Sequence, residues 1–392
     1  MSSDPFNNTE VAFSSKSNKD LNRAYWLFKM ISYPWLMKIG KGLTQVGLAL
    51  RLPIRGAVRA TIFRQFCGGE TIAECAKTTQ LLDRYNIGTI LDYSVEGKED
   101  ERDLDATAEE ILATIRTSNG NPHIPFCVFK VTGIAPNRIL TRLSLGEELN
   151  DREKARLARV EERIDSICKA AHDSGTPVFI DAEETWIQPA IDHFATKMME
   201  RFNKERAIVY NTIQLYRKDR LQFLKASYDA AVQGGYFLGE KLVRGAYMEK
   251  ERDRAEEKGY PSPIHDTKAD TDRSFNEALR FCLQHLDRIS FCSGTHNEES
   301  SILLKHLMEE KGIDASDTRI YSAQLFGMSD HISFNLANMG YNVAKYVPYG
   351  PVREVLPYLI RRAEENTSAQ GQTGRELSLI LREKARRKQV KK

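Results

Sequence analysis

No stretch of this sequence has the roughly 18 uninterrupted apolar residues that a membrane-crossing helix needs. The nearest approach, Ala24 to Leu50, is broken by Lys29, Pro34, Lys38 and Lys41. It reads either as a helix docked on the main domain or as a basic amphipathic surface helix. The opening MSSDPFNNTEVAFSSKSNKD lacks an apolar signal core and carries acidic residues, which disfavours a secretory or mitochondrial leader. The expectation is a cytoplasmic protein, or one attached peripherally to the inner face of a membrane. There is no CxxC pair either. Cys67, Cys75, Cys127, Cys168, Cys282 and Cys292 sit mostly in apolar runs, where a thiol behaves as a small hydrophobe. A reducing compartment without disulfides or structural zinc follows. A net charge of +3 gives no argument for nucleic acid.

Other absences exclude chemistries. No GxGxxG follows the first apolar run, which argues against a dinucleotide-binding open sheet. No GxSxG supports acyl transfer. No phosphate loop stands near the last two strands, which argues against a phosphate-ligand lyase or isomerase using Lys130. His296 has no second ligand at metal spacing, and His193, His285 and His306 fall in expected helices, so no metal is expected.

What is present is a rhythm. After a polar N-terminus and a helical arm (residues 1–84), with helices expected around AYWLFKMISYPWLMKIG, GAVRATIFRQFC and TIAECAKTTQLLDRYN, short β-branched runs alternate with long helix-patterned segments. The runs are TILDYSV (89–95), FCVFKVTG (126–133), PVFIDAEE (177–184), IVYNTIQLY (208–216), EKLVRGAY (240–247), ISFCSGTHN (289–297), IYSAQLFGM (320–328) and NVAKYVPYG (342–350). Eight such units predict an α/β fold, a closed (β/α)8 TIM-like barrel over residues 85–368. In nearly every unit the polar residues follow the apolar stem: Lys130, Asp181, Gln214, Arg244, Thr295 and His296, and Gln324. Active sites of such barrels sit at that end of the strands. Lys130 and Asp181, inside otherwise apolar strands, would be costly unless paired or functional.

The last barrel helix has a suggestive face. At about 100° per residue, Tyr358, Arg361, Arg362 and Glu365 share roughly a third of its circumference. Paired guanidiniums on one face fit a clamp for a small carboxylate. The alternative is a solvated face in which Glu364 and Glu365 pair with the arginines. Residues 369–392 form a basic tail, expected either as a solvated helix or in contact with anionic lipid headgroups.

EKLVRGAY with the acidic-basic run after it, GTHN at 294–297, QLFGM at 324–328 and YLIRRAEEN at 358–366 together resemble the proline dehydrogenase family over roughly residues 85 to 368. Lys241 with Arg244 looks like the eukaryotic-type branch, since many bacterial relatives carry Arg in the place of Lys241. The resemblance implies an FAD-dependent barrel that oxidises L-proline to Δ1-pyrroline-5-carboxylate and passes electrons to a membrane quinone. It implies that Arg361, Arg362 and Lys130 bind the substrate carboxylate and that Asp181 holds the cationic groups in place. Tyr346 and Tyr358 would line the pocket over the ring, and Lys241 or Arg244 would tune the flavin. Gln214, Gly245, Ala246, Thr295, His296 and Asn297 would contact FAD, with Glu365 fixing the helix or the flavin. At 392 residues, a second aldehyde dehydrogenase domain is not expected, which leaves the next oxidation to another protein. Three other readings stay open: a 4-hydroxy-L-proline dehydrogenase of the same fold, a non-flavin barrel lyase or isomerase, and a non-enzymatic membrane-surface protein.

Overall fold

The structure, a computed structural model, describes residues 5–33, 55–95, 97–368 and 372–390. Eight parallel strands follow one another round a closed barrel in chain order. They are β1 (Ile87–Tyr93), β2 (Phe126–Lys130), β3 (Val178–Asp181), β4 (Val209–Gln214), β5 (Leu238–Val243), β6 (Ile289–Gly294), β7 (Ile320–Leu325) and β8 (Val343–Tyr349). Each coincides with one expected run. Most stop a few residues early, because the polar residues at their C-terminal ends leave the ladder and enter the loops above. The helices used below are α1 (Thr9–Ala12), α2 (Asn18–Ile31), α3 (Ile72–Asp83), α4 (Glu101–Ser118), α5 (Asn137–Ser144), α6 (Asp151–Ser174) and α7 (Gln188–Phe202). They continue with α8 (Arg220–Gly234), α9 (Met248–Lys258), α10 (Lys268–Gln284), α11 (Glu298–Glu310), α12 (Asp330–Asn338), α13 (Val352–Ser368) and α14 (Gln372–Val390). All six cysteines are buried, and none forms a disulfide bond.

The chain divides into two compact units, Ile90–Ala323 and Met1–Thr89 with Gln324–Lys392. In the first, residues of alternate parity point into the barrel. Phe126 stacks on Phe179 at 4.4 Å between ring centroids and meets Tyr321 edge-on at 4.9 Å, while Tyr210 meets Phe179 edge-on at 5.5 Å. Gly239 makes room for Tyr210, since a Cβ there would lie 2.8 Å from that ring. These rings plug the barrel interior. Outside, α6 starts on a capping box between Asn150 and Glu153. Its buried Arg163 bonds Asp105 and Glu101 of α4 and the carbonyl of Ile134 at 3.0 Å.

The second unit is where the helical arm lies. Ser17 and Asp20 form a capping box that starts α2, which buries Leu21, Ala24, Leu27, Phe28 and Ile31. That face shares one core with Phe63 and Phe66, with Val355 and Leu359 of α13, and with Leu379 and Ile380 of α14. Burying each large apolar side chain contributes about 1.5–3 kcal/mol. The expected first arm helix extends over residues 34–40, which lie outside those described. The expectation of a solvated tail fails for α14, because its LSLIL segment is amphipathic and seats Leu379 and Ile380 against α2. Arg387 then bonds the carbonyls of Phe13 at 2.9 Å and Lys16 at 2.8 Å, fastening α14 to the N-terminal segment.

Candidate active site

In the Ile90–Ala323 unit, strand register brings the predicted residues together. Lys130 stands opposite Asp181 on neighbouring strands, and Thr212 opposite Lys241. The Lys241 ammonium donates to the Asp181 carboxylate across the barrel mouth. Lys241 is only 5% exposed and Asp181 9%. Burying either ion alone costs several kcal/mol, so each needs the other. Lys241 Nζ also stands 5.2 Å from the centre of the Phe179 ring, which makes the aromatic plug the floor of this mouth.

The loop after Asp181 ties the neighbouring strand ends together. Glu183 accepts from the backbone N–H of Thr132 at 3.0 Å and from its hydroxyl, which fixes the turn just beyond Lys130. The Gln214 side-chain amide donates to the Glu183 carbonyl at 2.7 Å. Glu251, fully buried on α9, accepts from Thr185 N–H at 2.7 Å and from its hydroxyl at 2.5 Å. Trp186 lies between Lys250 and Arg254, at 5.4 and 4.3 Å from its ring centre. Glu183 and Glu251 escaped the sequence reading. For Glu183 the available signal was the acidic run DAEET at the end of an apolar strand.

Arg244, immediately after β5, is held on three sides. Its guanidinium donates to Asp272 of α10 at 2.7 Å, to the Thr295 hydroxyl and to Ser300 of α11 at 2.9 Å, and it stacks over Phe275 at 4.5 Å. Burial pulls its pKa below the ordinary arginine value, against the attraction of Asp272. Burial would raise the Asp272 carboxyl, but Lys268 and Arg244 hold it below the usual range. Thr295 also accepts from Asn297 N–H at 3.1 Å, and Asn297 caps α11 by accepting from Ser300 N–H at 2.8 Å. His296 lies half-buried between them. Gly245 follows Arg244 with φ of 141°, and a Cβ there would meet the Tyr216 ring at 2.4 Å. Only glycine lets the backbone pass this ring. Ala246 is exposed.

The remaining predicted residues belong to the other unit. Tyr346 is buried on β8, and its carbonyl accepts from Phe326 N–H at 2.8 Å. On α13, Tyr358 is 6% and Arg362 8% exposed, and the Arg362 guanidinium stands 5.1 Å from the Tyr358 ring centre. Arg361 is half-buried beside them. The solvated-face alternative therefore fails at Tyr358 and Arg362. Glu364 and Glu365 fall within α13, but their side chains lie outside the described residues. Among the described residues no group of three or more His, Cys, Asp or Glu could hold a metal ion.

A family model described as proline dehydrogenase matches residues 75–375. The chain belongs to the proline dehydrogenase family. As a member it is an oxidoreductase acting on proline. Proline dehydrogenase 1, mitochondrial, of Dictyostelium discoideum is 32% identical over 97% of this chain and 74% of its own length. The carbapenem antibiotics biosynthesis protein CarD of Pectobacterium carotovorum subsp. carotovorum is 38% identical over 82% of this chain and 83% of its own. A hydroxyproline dehydrogenase of Xenopus laevis is 32% identical over 96% and 88%. Among solved structures, proline utilization A from Bdellovibrio bacteriovorus, inactivated by N-propargylglycine, superposes with a TM-score of 0.72 at 19% identity. That match covers 96% of this chain but 38% of the proline utilization A chain, and at such identity it speaks for the proline dehydrogenase barrel fold alone.

Proposed function

We propose that the chain uses FAD to oxidise L-proline to Δ1-pyrroline-5-carboxylate and passes the electrons to a membrane quinone, leaving the next oxidation to a separate aldehyde dehydrogenase. Peripheral contact with the inner face of a membrane belongs to the same reading. Among the described residues no helix is long and apolar enough to cross one. The observation that carries the proposal is the Lys241–Asp181 pair, buried over an aromatic floor, with Lys130 opposite Asp181 on the next strand.

The donor set fits a flavin dinucleotide: guanidinium, ammonium, amide and hydroxyl groups at successive strand ends suit its phosphates and ring carbonyls. Gln214, Lys241, Arg244, Gly245, Ala246, Thr295, His296 and Asn297 would hold it, and Glu365 would fix the helix or the flavin. When bound, FAD supplies the hydride acceptor. Lys241 places positive charge where negative charge develops, and Asp181 keeps that ammonium fixed. Arg361, Arg362 and Lys130 bind the substrate carboxylate by charge-assisted hydrogen bonds and orient the ring. The substrate amine must be neutral when the hydride leaves, because an ammonium would become a dication. Positive neighbours favour that neutral form.

The buried Tyr346 favours proline over its 4-hydroxylated analogue. A phenol against the ring leaves little space for a hydroxyl. An anaerobic titration with L-proline tests the function: the purified protein carries flavin, and its visible absorbance bleaches. Protein that neither carries nor takes up FAD overturns the proposal.

A further inference from the structure

Most of the charge on α14 is already used inside the molecule. Arg382 donates to the side chain of Asn7 at 2.8 Å, Arg386 pairs with Glu10 at 3.1 Å and with Glu383, and Arg387 bonds Glu383 and the backbone near α1. Lys384 and Lys388 are left on the outer side. Lys384 reaches over the Tyr25 ring of α2 at 4.5 Å, and Lys29 lies over Tyr25 and Trp26 at 5.6 and 5.2 Å. The outer faces of α2 and α14 are thereby joined into one surface.

That surface is apolar at its centre. Trp26, Met30 and Tyr33, spaced four and three residues apart, are 58%, 48% and 46% exposed, and Leu381 on α14 is 47% exposed. They are four of the nine large hydrophobic side chains that are exposed among the described residues. An indole and a phenol above a stripe of lysines is the arrangement found at a lipid interface, where amphipathic rings sit at headgroup level and lysines meet phosphates. Charge complementarity selects the lipid. Lys29 on α2 and Lys384 and Lys388 on α14 border the apolar centre, and α2 carries no Asp or Glu after Asp20. A surface of this kind attracts anionic headgroups, and nothing acidic in that stretch offsets the attraction.

We propose that this face of α2 and α14 docks on an anionic bilayer, with Trp26, Met30, Tyr33 and Leu381 entering the headgroup boundary and Lys29, Lys384 and Lys388 contacting lipid phosphates. The proposal rests on the membrane-acceptor reading for its purpose, and it gives that reading a location.

The test uses the full chain in co-sedimentation with phosphatidylcholine vesicles, with and without phosphatidylglycerol. The protein partitions onto the anionic vesicles, weakly onto the neutral ones, and salt reduces the difference. Trp26→Ser with Met30→Ser lowers partitioning at least tenfold on both. Lys384→Gln with Lys388→Gln, both at the surface and harmless to folding, removes the preference for phosphatidylglycerol. Proline-dependent reduction of a soluble dye stays unchanged in all variants. Equal partitioning of wild type and both variants overturns the proposal. So does self-association of the wild type that Trp26→Ser abolishes, which would make the face an interface between copies. Failed dye reduction with intact vesicle binding would instead strike the catalytic reading and leave the docking face standing.

Discussion

Among the described residues two buried lysine–aspartate pairs have their lysine on a barrel strand, one in each unit, and they do different work. Lys241 of β5 meets Asp181 of β3 at strand ends that open upward, beside Lys130 and the Glu183 loop. Lys345 of β8 is wholly buried, bonds the carbonyl of Met328 at 2.6 Å and pairs with Asp330 of α12 at 3.0 Å. Asp330 in turn holds Lys16 at 3.0 Å, and Glu376 of α14 accepts from Ser329 N–H at 2.5 Å. This second cluster gathers the N-terminal segment, β8, α12 and α14. An ion pair closed off by backbone carbonyls serves the fold, whereas one left at a strand mouth among other cations is available for chemistry.

Exchanging either lysine tests that distinction most severely. Lys345→Met leaves Asp330 with Lys16 as its remaining cation and is expected to cost about 3–5 kcal/mol of stability. Chemical denaturation measures it, with flavin per folded molecule unchanged. Lys241→Met should lower kcat/KM for proline by about 100-fold or more while costing less stability. If both variants lose stability and activity alike, the two pairs do not differ in kind.

Arg362→Met and Arg361→Met extend the functional side. Each should raise KM for proline steeply, corresponding to about 2–5 kcal/mol for a partly buried charge contact. FAD content should survive the Arg361 change. Normal proline binding in both variants would return α13 to a structural role.

The pH dependence sharpens the structural side. Burial alone would raise Asp330, but Lys16 and Lys345 hold it at about 2, below its ordinary 3.8. A carboxyl depressed on folding contributes stability that is present above its ordinary value and is lost as pH falls toward about 2. Glu376 runs the other way. Burial raises it, so its contribution is present below its ordinary value and is lost as pH rises through the folded one. Denaturation midpoints of Asp330→Asn should therefore fall less than wild type on acidification, and those of Glu376→Gln should fall less as pH rises above 4.5, the ordinary glutamate value.

The smallest effect concerns the ring. Tyr346→Ser should narrow the preference for L-proline over trans-4-hydroxy-L-proline in kcat/KM, mainly by weakening proline binding, within the roughly 1–3 kcal/mol typical of shape discrimination. An unchanged ratio in steady-state kinetics with both substrates removes Tyr346 from this role.

The barrel was legible because period-2 apolar runs recur eight times, and Lys130 and Asp181 stood out as charges in apolar strands. Lys345 carries the same signal in NVAKYVPYG, yet it has the opposite parity to Tyr346 and ends among backbone carbonyls. Sequence alone does not say which side of a buried strand faces the barrel interior. Asp272, Glu183 and Glu251 were illegible for another reason. Their partners lie 28, 51 and 66 residues away, and they meet only once the strands are in register. Asn297 was assigned to the cofactor by resemblance, while its position before an EESS helix start also marks a cap.

The seam between α2 and α14 bears on how the chain is made. Arg387 and its acceptor Phe13 are 374 residues apart, so α14, one of the partners that shield Leu27, Phe28 and Ile31, is synthesised long after them. At roughly 5–20 residues per second, the N-terminal arm waits tens of seconds on the ribosome with part of its apolar face uncovered. Residues 90–323 can collect their local βα contacts as they emerge, but the arm cannot finish its core until α14 has emerged. Premature termination before α14 would therefore leave α2 without one of its packing partners, and the nascent arm is the place where a chaperone would be needed.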